Sequence, residues 1–264
     1  MNSNIPFNSG AIRPSDCISQ AWELIKTDYW LFFGMTALGV VLLGCIPCVN
    51  VFLMGPFMVG IYIAVNTKMR GGVVTFDMLF KGFEKFVPAM VIGLIESVPT
   101  IISYILRFSI DLANLGLQKG GRGKYPDFDF FAPNDIAPAL AGGLIVLIVV
   151  LVIASILFGF AWKITFMLAL PLVSEHNLGI METLKLSARA GWSNPGGIIL
   201  LAILQGLLML LGVLALCIGW LFLIPIMVAS NFIAYRMVFP EVQQQSQYNE
   251  PPRPDYYASS FGNS

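Results

Sequence analysis

Long apolar runs, separated by short polar stretches, set the pattern of the chain. They predict six spanning helices, over 30–46, 49–68, 86–106, 138–173, 197–216 and 218–239. Each run reaches about 17 residues or more, the length that crosses a bilayer as a helix. The fourth is the longest. As one helix it extends ~54 Å, beyond an apolar core of roughly 30 Å, so it is either one long helix protruding from the membrane, the preferred reading, or two shorter segments. Lys163 falls where such a helix emerges, and its ammonium is expected to snorkel to the headgroups.

Between the runs lie three amphipathic segments with apolar residues three and four apart. In the first, Ile18, Ala21, Trp22, Ile25 and Tyr29 form a stripe, with Asp16, Glu23, Lys26 and Thr27 largely off it. In the second, Thr75 is positioned to cap a helix whose stripe is Phe76, Leu79, Phe80, Phe83 and Val87. In the third, Asn177 is the expected cap, and Leu178, Met181, Leu184, Ala188 and Trp192 share a face. Each segment precedes a pair of spans. The expected architecture is therefore all-α: a polytopic transmembrane bundle of six spans with amphipathic interfacial helices. Residues 1–13 read as a flexible tail and 14–240 as the membrane domain, built of units 14–69, 75–173 and 177–240. The first and third units also match at an offset of 169, with Ala21 on Ala190, Cys48 on Cys217 and Pro56 on Pro225. Residues 241–264, rich in Gln, Pro, Tyr and Ser, read as a disordered tail.

Composition narrows the function classes. Of 264 residues 57% are hydrophobic and 11% charged, against about 25% charged in soluble domains. Fifteen basic and fifteen acidic residues cancel, so no basic field points to a nucleic-acid partner. The first 28 residues lack the basic start and short apolar core of a signal peptide, so the first span is expected to be retained. With the N-terminus inside, eleven Lys and Arg fall on the inner side, and only Arg107, Lys119, Arg122 and Lys124 on the outer side. The excess predicts both termini in the cytoplasm.

Glu96 is the leading candidate for chemistry. It lies ten residues into the third span, about 15 Å deep, where ionisable side chains usually face the bundle interior or a pathway. Ser97 and Thr100 follow it. Pro99 lacks the amide hydrogen that would bond the carbonyl four residues earlier. Tyr62, Asn66, Ser230 and Asn231 are the candidate partners. A bent polar helix at mid-depth is a way to build a transporter site; a carboxyl bonded to a neighbouring helix is the plainer alternative. Cys45 and Cys48 form a C-x-x-C pair at an outer turn, a candidate redox site. It faintly resembles membrane-embedded, quinone-linked disulfide-generating enzymes, but the second outer cysteine pair those enzymes need is missing. No metal site or cofactor is expected, because the sole histidine, His176, falls on the opposite side from the cysteines. The Gly-rich stretch 120–124 fails the phosphate-loop spacing, with Gln118 in the first glycine position and Tyr125 after the lysine. The small pairs Gly60/Ala64 and Ser155/Gly159 suit close helix packing within the chain.

Arg70-Gly71-Gly72-Val73-Val74-Thr75-Phe76, followed by Leu79-Phe80-Lys81-Gly82-Phe83, resembles a loop of uncharacterised bacterial multi-pass membrane proteins of the domain-of-unknown-function type. Glu182-Thr183-Leu184-Lys185-Leu186-Ser187 resembles their second hallmark. The resemblance spans about 15–240 and implies a helical protein of a bacterial inner membrane. It implies no catalytic residue. The expected function is a non-enzymatic structural, assembly or partner-binding component. Its partners would be the lipid bilayer and a membrane or cytoplasmic protein reached through the C-terminal tail or the outer loop 109–137. The alternative is a small-solute or lipid-handling transporter centred on Glu96. The third reading is a thiol oxidoreductase using Cys45 and Cys48.

Overall fold

The structure, a computed structural model, describes residues 5–45, 47–119, 137–216 and 219–240, with side chains described in 5–42, 52–104, 108, 149–214 and 219–240. Among these residues there are helices and no strands. Ten α-helices follow in order: α1 Pro14–Ile25, α2 Tyr29–Cys45, α3 Pro47–Met69, α4 Met78–Lys81, α5 Phe86–Lys119, α6 Ala137–Phe166, α7 Ala169–Glu175, α8 Ile180–Trp192, α9 Pro195–Leu216 and α10 Gly219–Val238. Six helical stretches are long and apolar enough to cross a membrane. The chain is an all-α, multi-pass membrane protein.

The units close on one another. Each begins with a short helix at one end of the bundle, followed by an outgoing and a return span. α4 lies on α3, α8 on α6, and α1 on α10. The short helix of every unit thus docks on the return span of the unit before it, and the first unit docks on the last. The spans repeat the rule: return helix α3 packs on α5, α6 on α9, and α10 on α2. The first and last described segments of the chain meet on one face, here the terminal face. The Asn8 amide donates to the Val238 carbonyl at 2.8 Å, and the Ala11 amide donates to Asn194 Oδ1 at 2.8 Å. Asn194 Nδ2 donates back to the Asn8 carbonyl at 3.0 Å. Residues 5–13, expected as a flexible tail, are held by these bonds and by Phe7 packed on Phe239.

The short helices bury the expected stripes only in part: Ala21, Ile25 and Leu79 are inside, and the largest stripe residues are not. α1 buries Cys17, Ala21 and Ile25, while Trp22 is 45% exposed. The second segment buries Met78, Leu79 and Gly82 and turns Phe76, Phe80 and Val87 outward. α8 buries Thr183, Ser187, Ala190 and Gly191 and turns Met181 and Trp192 outward. In hydrocarbon a large apolar side chain gains little by leaving lipid for protein, so small residues that let backbones approach take the packed positions. A Cβ on Gly82 would overlap the carbonyl oxygen of Pro56 in α3, and one on Gly191 would overlap that of Ile164 in α6. Gly60 of the Gly60/Ala64 pair meets the backbone of Leu79 in the same way. Ser155 faces outward, and a Cβ on Gly159 would meet open space, so the second small pair is not a packing seam within the described chain.

Three local expectations are corrected. Thr75 does not cap: Asp77 stands at the N-cap without a side-chain bond, and the Thr75 hydroxyl bonds its carboxylate, holding it below the ordinary range. Asn177 does not cap either. Gly179 occupies the N-cap of α8 in an extended conformation, and its carbonyl accepts the Thr183 amide at 2.9 Å. The run 138–173 is not one helix. It breaks at Met167 and Leu168, between α6 and α7. Pro171 supplies the reason: it has no amide hydrogen for the Met167 carbonyl, and its ring collides with that carbonyl in a continuous helix.

Candidate intramembrane polar site

Midway along the bundle the described spans bring polar side chains together. Gln205, 2% exposed, is the lone polar side chain of α9. Its amide nitrogen donates to Ser230 Oγ at 2.8 Å and Asn231 Oδ1 at 2.8 Å, both on α10. Its carbonyl oxygen accepts from Lys163 Nζ of α6 at 3.4 Å, the long edge of a hydrogen bond. Lys163 in turn lies within the electrostatic reach of Glu96 on α5. Tyr62 of α3 lies near the Glu96 charge and within bonding reach of Asn231. Return helices α3, α6 and α10 thus contribute Tyr62, Lys163 and Asn231, and outgoing helices α5 and α9 contribute Glu96 and Gln205. The offset of 169 carries Tyr62 onto Asn231 and Thr36 onto Gln205. Thr36, 3% exposed, is the polar position of α2, and its hydroxyl bonds its own helix at Phe32.

Glu96 Oε2 is fully buried and has no hydrogen-bond partner. One residue away on each helix, α5 and α6 are pinned together. Trp162 Nε1 donates to the Ile95 carbonyl at 2.9 Å. That carbonyl is the one Pro99 leaves without its helical donor.

The structure separates the other sequence candidates from this group. Ser97 Oγ donates to the Leu94 carbonyl of its own helix at 3.0 Å, and Thr100 points outward. Asn66 belongs elsewhere: its Oδ1 accepts from Arg236 Nη2 at 2.6 Å. Lys163, expected among headgroups, is inside the bundle. The side chains of Cys45 and Cys48 lie outside the described residues, as does the redox reading they carry; most of the loop 109–137 and the tail 241–264 lie outside them too. Among the described residues no group of His, Cys, Asp and Glu is placed to hold a metal.

A second cluster occupies the terminal face and was not legible as a site. Glu175, at the end of α7, receives Arg236 Nη2 at 2.5 Å, Arg70 Nη2 at 2.9 Å and the Tyr235 hydroxyl at 2.8 Å. Lys85 Nζ donates to the Val173 carbonyl at 2.8 Å, satisfying the last turn of α7. His176 stands 3.9 Å from Glu175. Burial pushes its imidazole below the ordinary range, opposed by the Glu175 charge and aided by Arg236 and Lys85.

Sequence reasoning missed Gln205 and Lys163 as members of the central group. The signal for Gln205 was present: one polar residue in a 22-residue apolar helix obeys the same rule that singled out Glu96. Compared with protein-family models, with curated proteins and with solved structures, the chain matches none.

Proposed function

We propose that the protein is a non-enzymatic structural, assembly or partner-binding component of a bacterial cytoplasmic membrane, with both termini in the cytoplasm. The observation that carries this reading is the collar of large side chains around the terminal face. The three docked helices place Trp22, Phe80 and Trp192 outward, at 45%, 49% and 57% exposure. Trp30 adds a fourth at 73%. Aromatic rings of this kind concentrate where a bilayer meets water, so the collar anchors the bundle at one interface and offers a lateral contact surface there. The cations Lys68, Arg70, Lys85 and Arg236 stand at the same face. They fit the cytoplasmic side by the excess of Lys and Arg there, and the resemblance of the 70–83 loop supports a bacterial inner membrane.

The second reading, a small-solute or lipid-handling transporter centred on Glu96, is favoured by the unpartnered Oε2 at mid-depth. The two separate experimentally. Full-length wild type, Trp22→Asp, Phe80→Asp and Glu96→Gln are purified from membranes in mild detergent, and co-purifying proteins and lipids are identified. The component reading expects a specific protein lost from the collar variants and kept by Glu96→Gln. Any gene phenotype then follows the collar. A phenotype that follows Glu96→Gln, with the protein folded and its partners retained, supports the transporter instead.

A further inference from the structure

We propose that Glu96 and Lys163 form a proton-binding site inside the bilayer, served from the terminal face by a ladder of polar side chains on α3 and α10. The inference deepens the second reading by naming the ligand of the site as the proton, and it rests on the Glu96 site of that reading.

Three observations converge. The first is the buried Glu96 Oε2, an acceptor with no donor. A buried oxygen of this kind lacks the compensation that nearly all such atoms have, and asks for a proton, a water or a ligand donor. The second is the placement of Lys163 between two acceptors on different units. Its Nζ reaches Gln205 Oε1 at 3.4 Å while lying in the field of Glu96, and in the proposed site this long side chain exchanges one partner for the other.

The third is a route. On α3, Tyr62 and Asn66 lie one helical turn apart on one face, and Arg70 follows at the same interval just past the end of the helix, its amide donating to the Asn66 carbonyl at 3.1 Å. On α10, Asn231 and Tyr235 keep the same interval. Asn66 is tied to Arg236, and Arg236, Tyr235 and Arg70 all meet at Glu175. The steps therefore run from the Glu175 cluster, with Arg70 55% exposed at its edge, to Tyr62 beside Glu96.

The proton balance is simple. A proton from the water at the terminal face forms an O–H bond on Glu96 Oε2. The pair changes from net zero to net plus one. Lys163 keeps its own proton and turns to Gln205, the contact seen here. On release the O–H bond breaks, the proton returns along the ladder, and Lys163 turns to the carboxylate. On the helices packed against α5, Lys163 of α6 and Tyr62 of α3 act on Glu96. Glu175 at the end of α7 is engaged at the terminal face, and Glu182, Lys185 and Arg189 of α8 are exposed at the surface.

The test is infrared difference spectroscopy on the full chain in lipid nanodiscs, with a rapid pH change. The expected result is a carboxylic-acid carbonyl band that titrates in wild type and disappears in Glu96→Gln. In Tyr62→Phe, which keeps the ring stacked on Phe232, and in Asn66→Leu, the band should form more slowly by about tenfold or more. Melting curves identify variants that fold. The absence of a titrating band that Glu96→Gln removes overturns the site. A band that forms at the wild-type rate in folded Tyr62→Phe overturns the ladder. Solute flux that depends on Glu96 without such a band would refute the proton proposal while leaving the transporter reading intact.

Discussion

Gln205 ties two helices together with one side chain, so its loss has a defined cost. Gln205→Leu removes the bonds to Ser230 and Asn231 and should lower stability by about 0.6–1.7 kcal/mol, the range measured for interhelical bonds in membranes. Ser97→Ala, which removes only a bond to its own helix, should change stability by less than about 0.5 kcal/mol. Equal losses in thermal melts would contradict the assignment of these residues. His176 makes a pH prediction. Its folded imidazole titrates below the 6.5 of the free side chain, so the unfolded chain takes the proton first. Its contribution to stability is present above that value and declines as pH falls towards the lower folded value. His176→Gln should flatten this decline in melts between about pH 7 and 5; an unchanged slope would sink the prediction. Glu96 was legible because an ionisable residue in an apolar run has few innocent explanations. Lys163, in its field, was not, because a lysine towards the end of a long run fits a headgroup equally well, and only its contact with Gln205 of α9 shows it inside the bundle.

The interfacial helices show what periodicity reads and what it does not. Their existence follows from spacing, and all three dock at one end of the bundle. Which face docks follows only in part: Ala21, Ile25 and Leu79 of the stripes are buried, but the usual rule also buries the largest apolar residues, and in lipid that rule loses its force. Gly82 and Gly191 were the informative residues, for each lies against a neighbouring backbone. Gly82→Ala and Gly191→Ala should each cost about 1–3 kcal/mol through overpacking. Gly206→Ala in α9 is the control, since a Cβ there meets open space. It should be neutral or stabilising by up to about 1 kcal/mol from helix propensity. Three variants with similar melting temperatures would show that the close contacts of α4 and α8 are not formed.

At the scale of the molecule, hydropathy alone disclosed six spans, because each run is a local property of the sequence. Closure of three units into a ring was not legible, since it depends on contacts between residues far apart in sequence, such as α1 on α10. Orientation stands on charge. Labelling reporters at Asn8, Gln118 and Ser259 should read inside, outside and inside, and a reporter at Ser259 that reads outside would contradict the even number of spans. The ring itself has a direct test, because Cys17 Sγ of the first unit lies 3.7 Å from Met237 Sδ of the last. Met237→Cys is combined with Ser at Cys45, Cys48 and Cys217, and a protease site is inserted within 120–136. Membranes are oxidised, cut and run without reductant. The ring predicts that the two fragments stay joined, separate on reduction, and are never joined when Cys17 is also Ser. Fragments that separate without reductant, from protein that carries both cysteines and melts as wild type, would contradict the closure of the first unit on the last.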